Sequence, residues 1–122
     1  MNFNQVLGIK LVRRYRDGVA IEIALRPDML NYSGALHGGV TAALADVAVG
    51  TAITEHFKGL SKATTTEMKI NYLLPVTGGK LVARAHLVRI GKTLCVGRVD
   101  VRDTQRRLVA VALVTYMLLT VR

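Results

Sequence analysis

One stretch of the chain is apolar on every side of a helical repeat, and the segments around it carry a different rhythm. Between Gly39 and about Phe57 the apolar residues include Val40, Ala42, Ala43, Leu44, Ala45, Val47, Ala48, Val49, Ala52 and Ile53. This predicts one long helix, buried on most of its surface, whose small side chains let a sheet approach closely. Glu55-His56-Phe57-Lys58-Gly59 then brings polarity and a Gly stop. Upstream, Val6 to Arg16 and Val19 to Leu25 read as two strands joined at Asp17-Gly18, a hairpin turn signal. Arg26-Pro27-Asp28 stops the second strand, and Met29 to Gly38 reads as a loop with room for a short helical turn. Downstream stand four strand candidates: Ala63 to Leu74 before Pro75, Lys80 to Arg89 before Gly91-Lys92, Thr93 to Arg102, and Leu108 to Leu119. The third alternates Thr93, Cys95, Gly97, Val99 and Val101 with Leu94, Val96, Arg98, Asp100 and Arg102, the period of a strand. The last is apolar on both faces, as in a strand covered on both sides.

The order ββ-α-ββββ implies an α+β fold in which a single antiparallel sheet wraps one long central helix, as one domain over residues 1–122. Such a sheet leaves its other face bare. With 51% of the residues hydrophobic, the chain is expected to be a homo-oligomer. The longest apolar run, Leu108 to Leu119 around Thr115, is well short of the ~20 residues that span a bilayer, so no membrane partner is expected. Met1-Asn-Phe-Asn-Gln-Val lacks the basic start and long apolar stretch of a signal peptide. Cys95 is alone, so it forms no internal disulfide. A reducing, cytoplasmic setting is the expectation.

Charge narrows the partners. The net charge of +9 suits nucleic acid, an anionic surface or a small molecule bearing phosphates. The basic residues are scattered singly along strands and turns. With two Phe, four Tyr and no Trp there is no aromatic platform for bases, which argues against nucleic acid. His37, His56 and His86 fall on different elements, and with one Cys no ligand set has metal spacing.

The chemistry concentrates in Asn31-Tyr-Ser-Gly-Ala-Leu-His37-Gly38-Gly39 and in Asp46 beyond it. A helix start offers unpaired N–H groups and partial positive charge, and glycines there leave room for an incoming oxygen. A Gly-Gly pair serves equally to turn a loop into a helix. Asp46 stands in the apolar helix, where a carboxylate needs a partner or a task; a structural Asp bonded to a Thr or to backbone is the alternative. Eight residues of helix separate Gly38 from Asp46, which is ~12 Å along the axis. If both act on one carbonyl, they come from two chains.

Asn31, Gly34, His37, Gly38, Gly39, Leu44 and Asp46 have the order and spacing of a known pattern. It resembles the phenylacetic-acid-degradation (PaaI-like) type of hotdog-fold acyl-CoA thioesterase. The likeness extends to Thr65-Thr-Glu-Met-Lys-Ile-Asn-Tyr72-Leu-Leu-Pro75 and to Arg89-Ile-Gly91-Lys92-Thr93-Leu94, covering about residues 5 to 119. It implies a hotdog fold acting as a homodimer or dimer of dimers on an aryl- or medium-chain acyl-CoA. By that resemblance the Gly38 N–H polarises the thioester carbonyl. Asp46 of the facing chain is general base or nucleophile, Asn31 holds the water or the leaving-group side, and His37 supports Asn31 or the loop. Thr65 orients the acid and water. Tyr72, Arg89, Gly91, Lys92 and Thr93 fall where such proteins touch the CoA portion. The resemblance implies no separate cofactor, because CoA is part of the substrate, and CoA phosphates would suit Arg89 and Lys92.

Of the remaining residues, His86 reads as structural or exposed and Cys95 as a small buried filler. Glu67 and Lys69, on one face of a strand, read as an interface ion pair. Two other functions use the same cleft. A non-catalytic acyl-CoA sensor is one, though no length is left for a second domain. A hotdog dehydratase or hydratase is the other; it needs an acid/base pair beside Cα and Cβ of the acyl group, which suits this residue set less well than attack on a carbonyl.

Overall fold

The computed structural model describes residues 1–121. Its elements run α1 (Phe3–Leu7), β1 (Lys10–Tyr15), β2 (Gly18–Ala24), a 3-10 turn (Pro27–Met29), α2 (Gly38–His56), β3 (Ser61–Tyr72), β4 (Lys80–Ile90), β5 (Leu94–Arg102) and β6 (Leu108–Val121). The strands form one six-stranded sheet in the order β1-β2-β4-β5-β6-β3, with every neighbouring pair antiparallel. The sheet curls around α2, giving the α+β hotdog architecture. No helix among the described residues is long and apolar enough to cross a membrane.

The core lies between α2 and the concave side of the sheet. Leu44, Ala45, Ala48, Val49, Ala52 and Ile53 of the helix meet Val19, Ile21 and Ile23 of β2, Leu81, Ala83 and Ala85 of β4, and Cys95, Val99 and Val101 of β5. Small residues set the approach distance. A Cβ on Gly97 would stand 2.7 Å from Val49 Cγ2, so β5 reaches the helix only because Gly97 has no side chain. Cys95 is fully buried, and that burial pushes its thiol pKa up.

The turn between β1 and β2 is pinned from outside. Asp17 accepts hydrogen bonds from Arg84 Nη2 at 2.6 Å and from the His86 ring at 2.9 Å. These bonds hold its carboxyl down at about 2. The Arg84 guanidinium also stacks 3.6 Å from the centre of the Tyr15 ring. His86 is thus structural, as its place in a strand suggests.

Four expectations need correction. The first strand does not begin at Val6: Phe3–Leu7 form α1, with Asn2 and Gln5 making a reciprocal capping box and Gly8 ending it in left-handed conformation. The strand after the helix spans Ser61–Tyr72 rather than Ala63 to Leu74, because Leu73 and Leu74 turn aside, both donating to the Val109 carbonyl, before Pro75. The chain alone covers β6 on one face only: Val114, Tyr116 and Leu118 point inward, whereas Leu113, Met117 and Leu119 are exposed. Likewise α2 buries one stripe, leaving Val40, Ala43 and Val47 half-buried. One helix can occupy only one side of one sheet, so the surplus apolar surface faces outward.

If Gly97 sets the helix–sheet distance, Gly97→Ala must force Val49 or the strand to move. We expect a loss of about 1–3 kcal/mol, read as a fall of several degrees in the thermal unfolding midpoint. An unchanged midpoint would show that the contact is not limiting.

Candidate active site

The loop ahead of α2 is fixed by its own backbone. Met29 and Leu36 are buried at its two ends, and an isolated bridge joins Leu30 to Leu36. Leu36 N–H donates to the Val76 carbonyl at 2.7 Å and His37 N–H to the Met29 carbonyl at 2.8 Å. Within this frame Asn31 folds the chain on itself: its Oδ1 accepts from Ser33 N, Ser33 Oγ and Ala35 N. Three donors around one oxygen fix the orientation of the amide. They leave Nδ2 with no acceptor among the described residues.

His37 is the N-cap of α2, and its Nδ1 accepts from Gly39 N–H at 2.8 Å. The imidazole carries no proton on that nitrogen and consumes one of the orphan donors of the first turn. Gly38 N–H is thereby singled out, since it has no acceptor among the described residues. Tyr72 secures the same residue from β3, its hydroxyl donating to the Gly38 carbonyl at 2.6 Å. Asn31, Gly38 and Tyr72 line one cavity of about 360 Å³ together with Thr41, Leu73, Leu74 and Val109. It is an apolar pocket with a few converging polar groups at a helix N-terminus, suited to a carbonyl that becomes negatively charged. The leucines that leave β3 early supply part of its wall.

Asp46 lies elsewhere. It is half-buried midway along α2. Its Oδ1 accepts from Thr65 Oγ1 at 2.7 Å, and its own carbonyl accepts from the Tyr116 hydroxyl at 2.9 Å. Oδ2 has no donor among the described residues, so one carboxylate oxygen is held and the other is free. Nearby, a hollow of about 780 Å³ is lined by Val47, Gly50, Thr51, Ser61, Ala63 and Tyr116 among others.

The Arg89–Leu94 turn is a third group. Gly91 N–H closes it onto the Leu94 carbonyl at 2.8 Å, and the Thr93 carbonyl accepts from Leu118 N–H at 2.7 Å. Arg89, Lys92 and Thr93 are exposed.

The structure therefore sorts the candidate residues into two separate ends. Asn31, His37, Gly38 and Tyr72 gather at the helix mouth. Asp46 with Thr65, and the turn holding Arg89, Gly91, Lys92 and Thr93, belong to the other end. Register gives the scale: Tyr72 pairs with Ala110 and Leu94 with Met117 of the same strand, places roughly 24 Å apart at about 3.4 Å per residue. Among the described residues no His, Cys, Asp and Glu gather as a metal site requires. In the sequence Tyr116 reads as one more apolar position of β6. The signal was a phenol on the inward phase of that strand, whose hydroxyl needs a partner once buried.

The pattern of the thioesterase superfamily matches residues 33–110. The medium/long-chain acyl-CoA thioesterase YigI of Escherichia coli strain K12 is 32% identical, over 96% of this chain and 85% of its own length. Among solved structures, the thioesterase HI1161 of Haemophilus influenzae superposes with a TM-score of 0.90 at 26% identity, covering 96% of this chain and 82% of the other. A mutant of the phenylacetic acid degradation protein PaaI of Thermus thermophilus gives 0.84 at 28% identity, covering 94% of this chain and 96% of that one. The matched span is more than half of the chain and runs across Gly38, Asp46, Thr65 and Tyr72, and on its extent the chain belongs to the thioesterase superfamily.

Proposed function

We propose that this protein hydrolyses acyl-CoA thioesters at a site that two copies build together. The observation that carries the reading is the state of two groups on one rigid helix: Gly38 offers an amide without an acceptor, and Asp46 offers a carboxylate oxygen without a donor. Each is half of what carbonyl hydrolysis needs. Helix geometry keeps them ~12 Å apart within one chain.

The edge of the sheet supplies a way to join the halves. β3 is the terminal strand, twelve residues long, with one side of its backbone unpaired by the sheet. Such an edge is a template for another strand. Antiparallel pairing of two β3 strands about an axis at Met68 places Thr65 opposite Asn71 of the partner subunit. The Asp46 end of one copy then approaches the Tyr72–Gly38 end of the other. The same register sets Glu67 opposite Lys69 of the partner subunit, an ion pair repeated by symmetry. The exposed stripe of Leu94, Leu113, Met117 and Leu119 gives a second apolar surface by which such dimers would associate in pairs.

In this arrangement Gly38 N–H, at the positive end of α2, binds the thioester oxygen. Asp46 Oδ2 of the other copy takes a proton from water as the water oxygen adds to the carbonyl carbon. The tetrahedral oxyanion rests on the Gly38 amide. The C–S bond breaks, and the departing thiolate receives the proton, giving free acid and CoA. Asn31, held through Oδ1, presents Nδ2 to the water or to the sulfur side. The acyl group extends into the hollow beside Val47 and Tyr116, which suits an aryl or medium-length chain. Arg89 and Lys92 meet the phosphates of CoA. No cofactor beyond the substrate's own CoA takes part. A hydratase would need a second acid or base near Asp46. Its neighbours are two hydroxyls, of Thr65 and Tyr116, the latter spent on a backbone carbonyl.

Purified protein is expected to release free thiol from aryl- or medium-chain acyl-CoA. Asp46→Ala should slow this by about 10²–10⁴-fold while leaving the oligomer intact. Binding of CoA without thiol release across a broad acyl-CoA panel would favour a sensor instead. The shared site is tested by complementation. Gly38→Pro removes the amide hydrogen at a helix position that accepts proline, and His37 already has the extended ψ of 130 that a residue before proline needs. Asp46→Ala and Gly38→Pro chains, co-expressed with different tags and purified as mixed dimers, should regain about half of the wild-type rate, because one of two symmetric sites is whole. No recovery in dimers shown to be mixed and folded would rule out the shared site.

A further inference from the structure

We propose that Tyr116 is a positioning residue for Asp46, fixing the turn of α2 that aims its carboxylate. The inference rests on the reading of Asp46 as the residue that activates water.

The geometry is a grip from two adjacent strands. Thr65 of β3 and Tyr116 of β6 are direct cross-strand partners. Both turn toward α2, and both reach the same residue. Thr65 donates to the carboxylate at 2.7 Å, Tyr116 to the backbone carbonyl at 2.9 Å. One bond fixes the tip of the side chain, the other its root. A register shift in β3 falls between Thr65 and Glu67, immediately beside this pair. Bulges of that kind re-aim side chains and are common next to functional sites.

The helix makes room for the phenol at a cost to itself. Gly50 sits in the interior of α2, where only proline is a worse choice. A Cβ there would lie 2.7 Å from the Tyr116 hydroxyl oxygen. Gly50 is also the residue whose amide returns to the Asp46 carbonyl in the helical repeat, so that oxygen uses its second lone pair for Tyr116. The hydroxyl is buried, which pushes its pKa up to about 12 and keeps it a donor throughout the working range of pH.

Tyr116→Phe keeps the ring and removes the donor. On an acyl-CoA that the wild type hydrolyses, we expect kcat to fall about ten- to a hundredfold with KM within about twofold, since the misplaced group serves the chemical step and not binding. Gly50→Ala should displace the hydroxyl and produce a similar fall. Combining the two should add little, because both remove the same bond. Wild-type kcat in Tyr116→Phe, or losses that multiply in the double variant, would overturn the proposal. A general loosening would instead lower the thermal midpoint and raise KM along with the fall in kcat, and that outcome would overturn it too. Should Gly50→Ala fail to fold, the split between kcat and KM in Tyr116→Phe decides alone. Asp46→Ala is assayed alongside. If it remains active, the reading of Asp46 fails; if it is inactive while Tyr116→Phe is normal, only the positioning role fails.

Discussion

An α-helix rises about 1.5 Å per residue and does not shorten on demand. In this protein that fixed rise separates an amide without an acceptor from a carboxylate oxygen without a donor, among the described residues. Gly38 opens α2 and Asp46 lies two turns within it. Most of the surrounding structure serves these two points. His37 caps one amide so that its neighbour is free, and Tyr72 holds that neighbour's carbonyl. Thr65 and Tyr116 hold Asp46 by its two ends. The sheet that wraps the helix keeps both groups at set heights, with Gly97 and Gly50 allowing the close contact.

The same rigidity explains why the chain leaves so much unfinished surface. The chain has one long helix and one sheet, so one face of each stays open. The open strand edge, the half-buried flank of α2 and the exposed leucines of β6 are consequences of that layer count, not defects of packing. A site divided between the first turn of α2 and its middle, as proposed, would put the open edge to use. In the proposed dimer, antiparallel pairing through β3 would carry each group to its counterpart in the other copy.

Much of this was legible in the residues. The all-round apolar helix, the alternation in β5 and the hairpin signal at Asp17-Gly18, whose turn falls one residue earlier at Arg16-Asp17, gave the order of elements. The helix mouth was legible because Asn31, His37 and the glycines are loop-turning and helix-capping residue types set directly before an apolar run. What is not legible is either too short to show a period or depends on tertiary contact. The capping box at Asn2 and Gln5 was present in the sequence, but α1 is too short for a periodic signal. The early end of β3 depends on the Val109 carbonyl, far away in the chain. Tyr116 looked like a core residue because its role appears only when β6 is laid beside β3 under the helix. The doubling of apolar faces on β6 predicts cover on both sides, of which one chain supplies only the inner layer.

The most direct measurement is a crystal structure of the Asp46→Asn variant with a non-hydrolysable acyl-CoA thioether ketone, in which a methylene separates carbonyl and sulfur. The account predicts the ligand's carbonyl oxygen at hydrogen-bond distance, about 3 Å, from Gly38 N of one subunit, with the residue 46 side chain of the other subunit facing the carbonyl carbon. A ligand whose carbonyl sits away from Gly38, or whose nearest residue 46 belongs to the same chain as that amide, would contradict it.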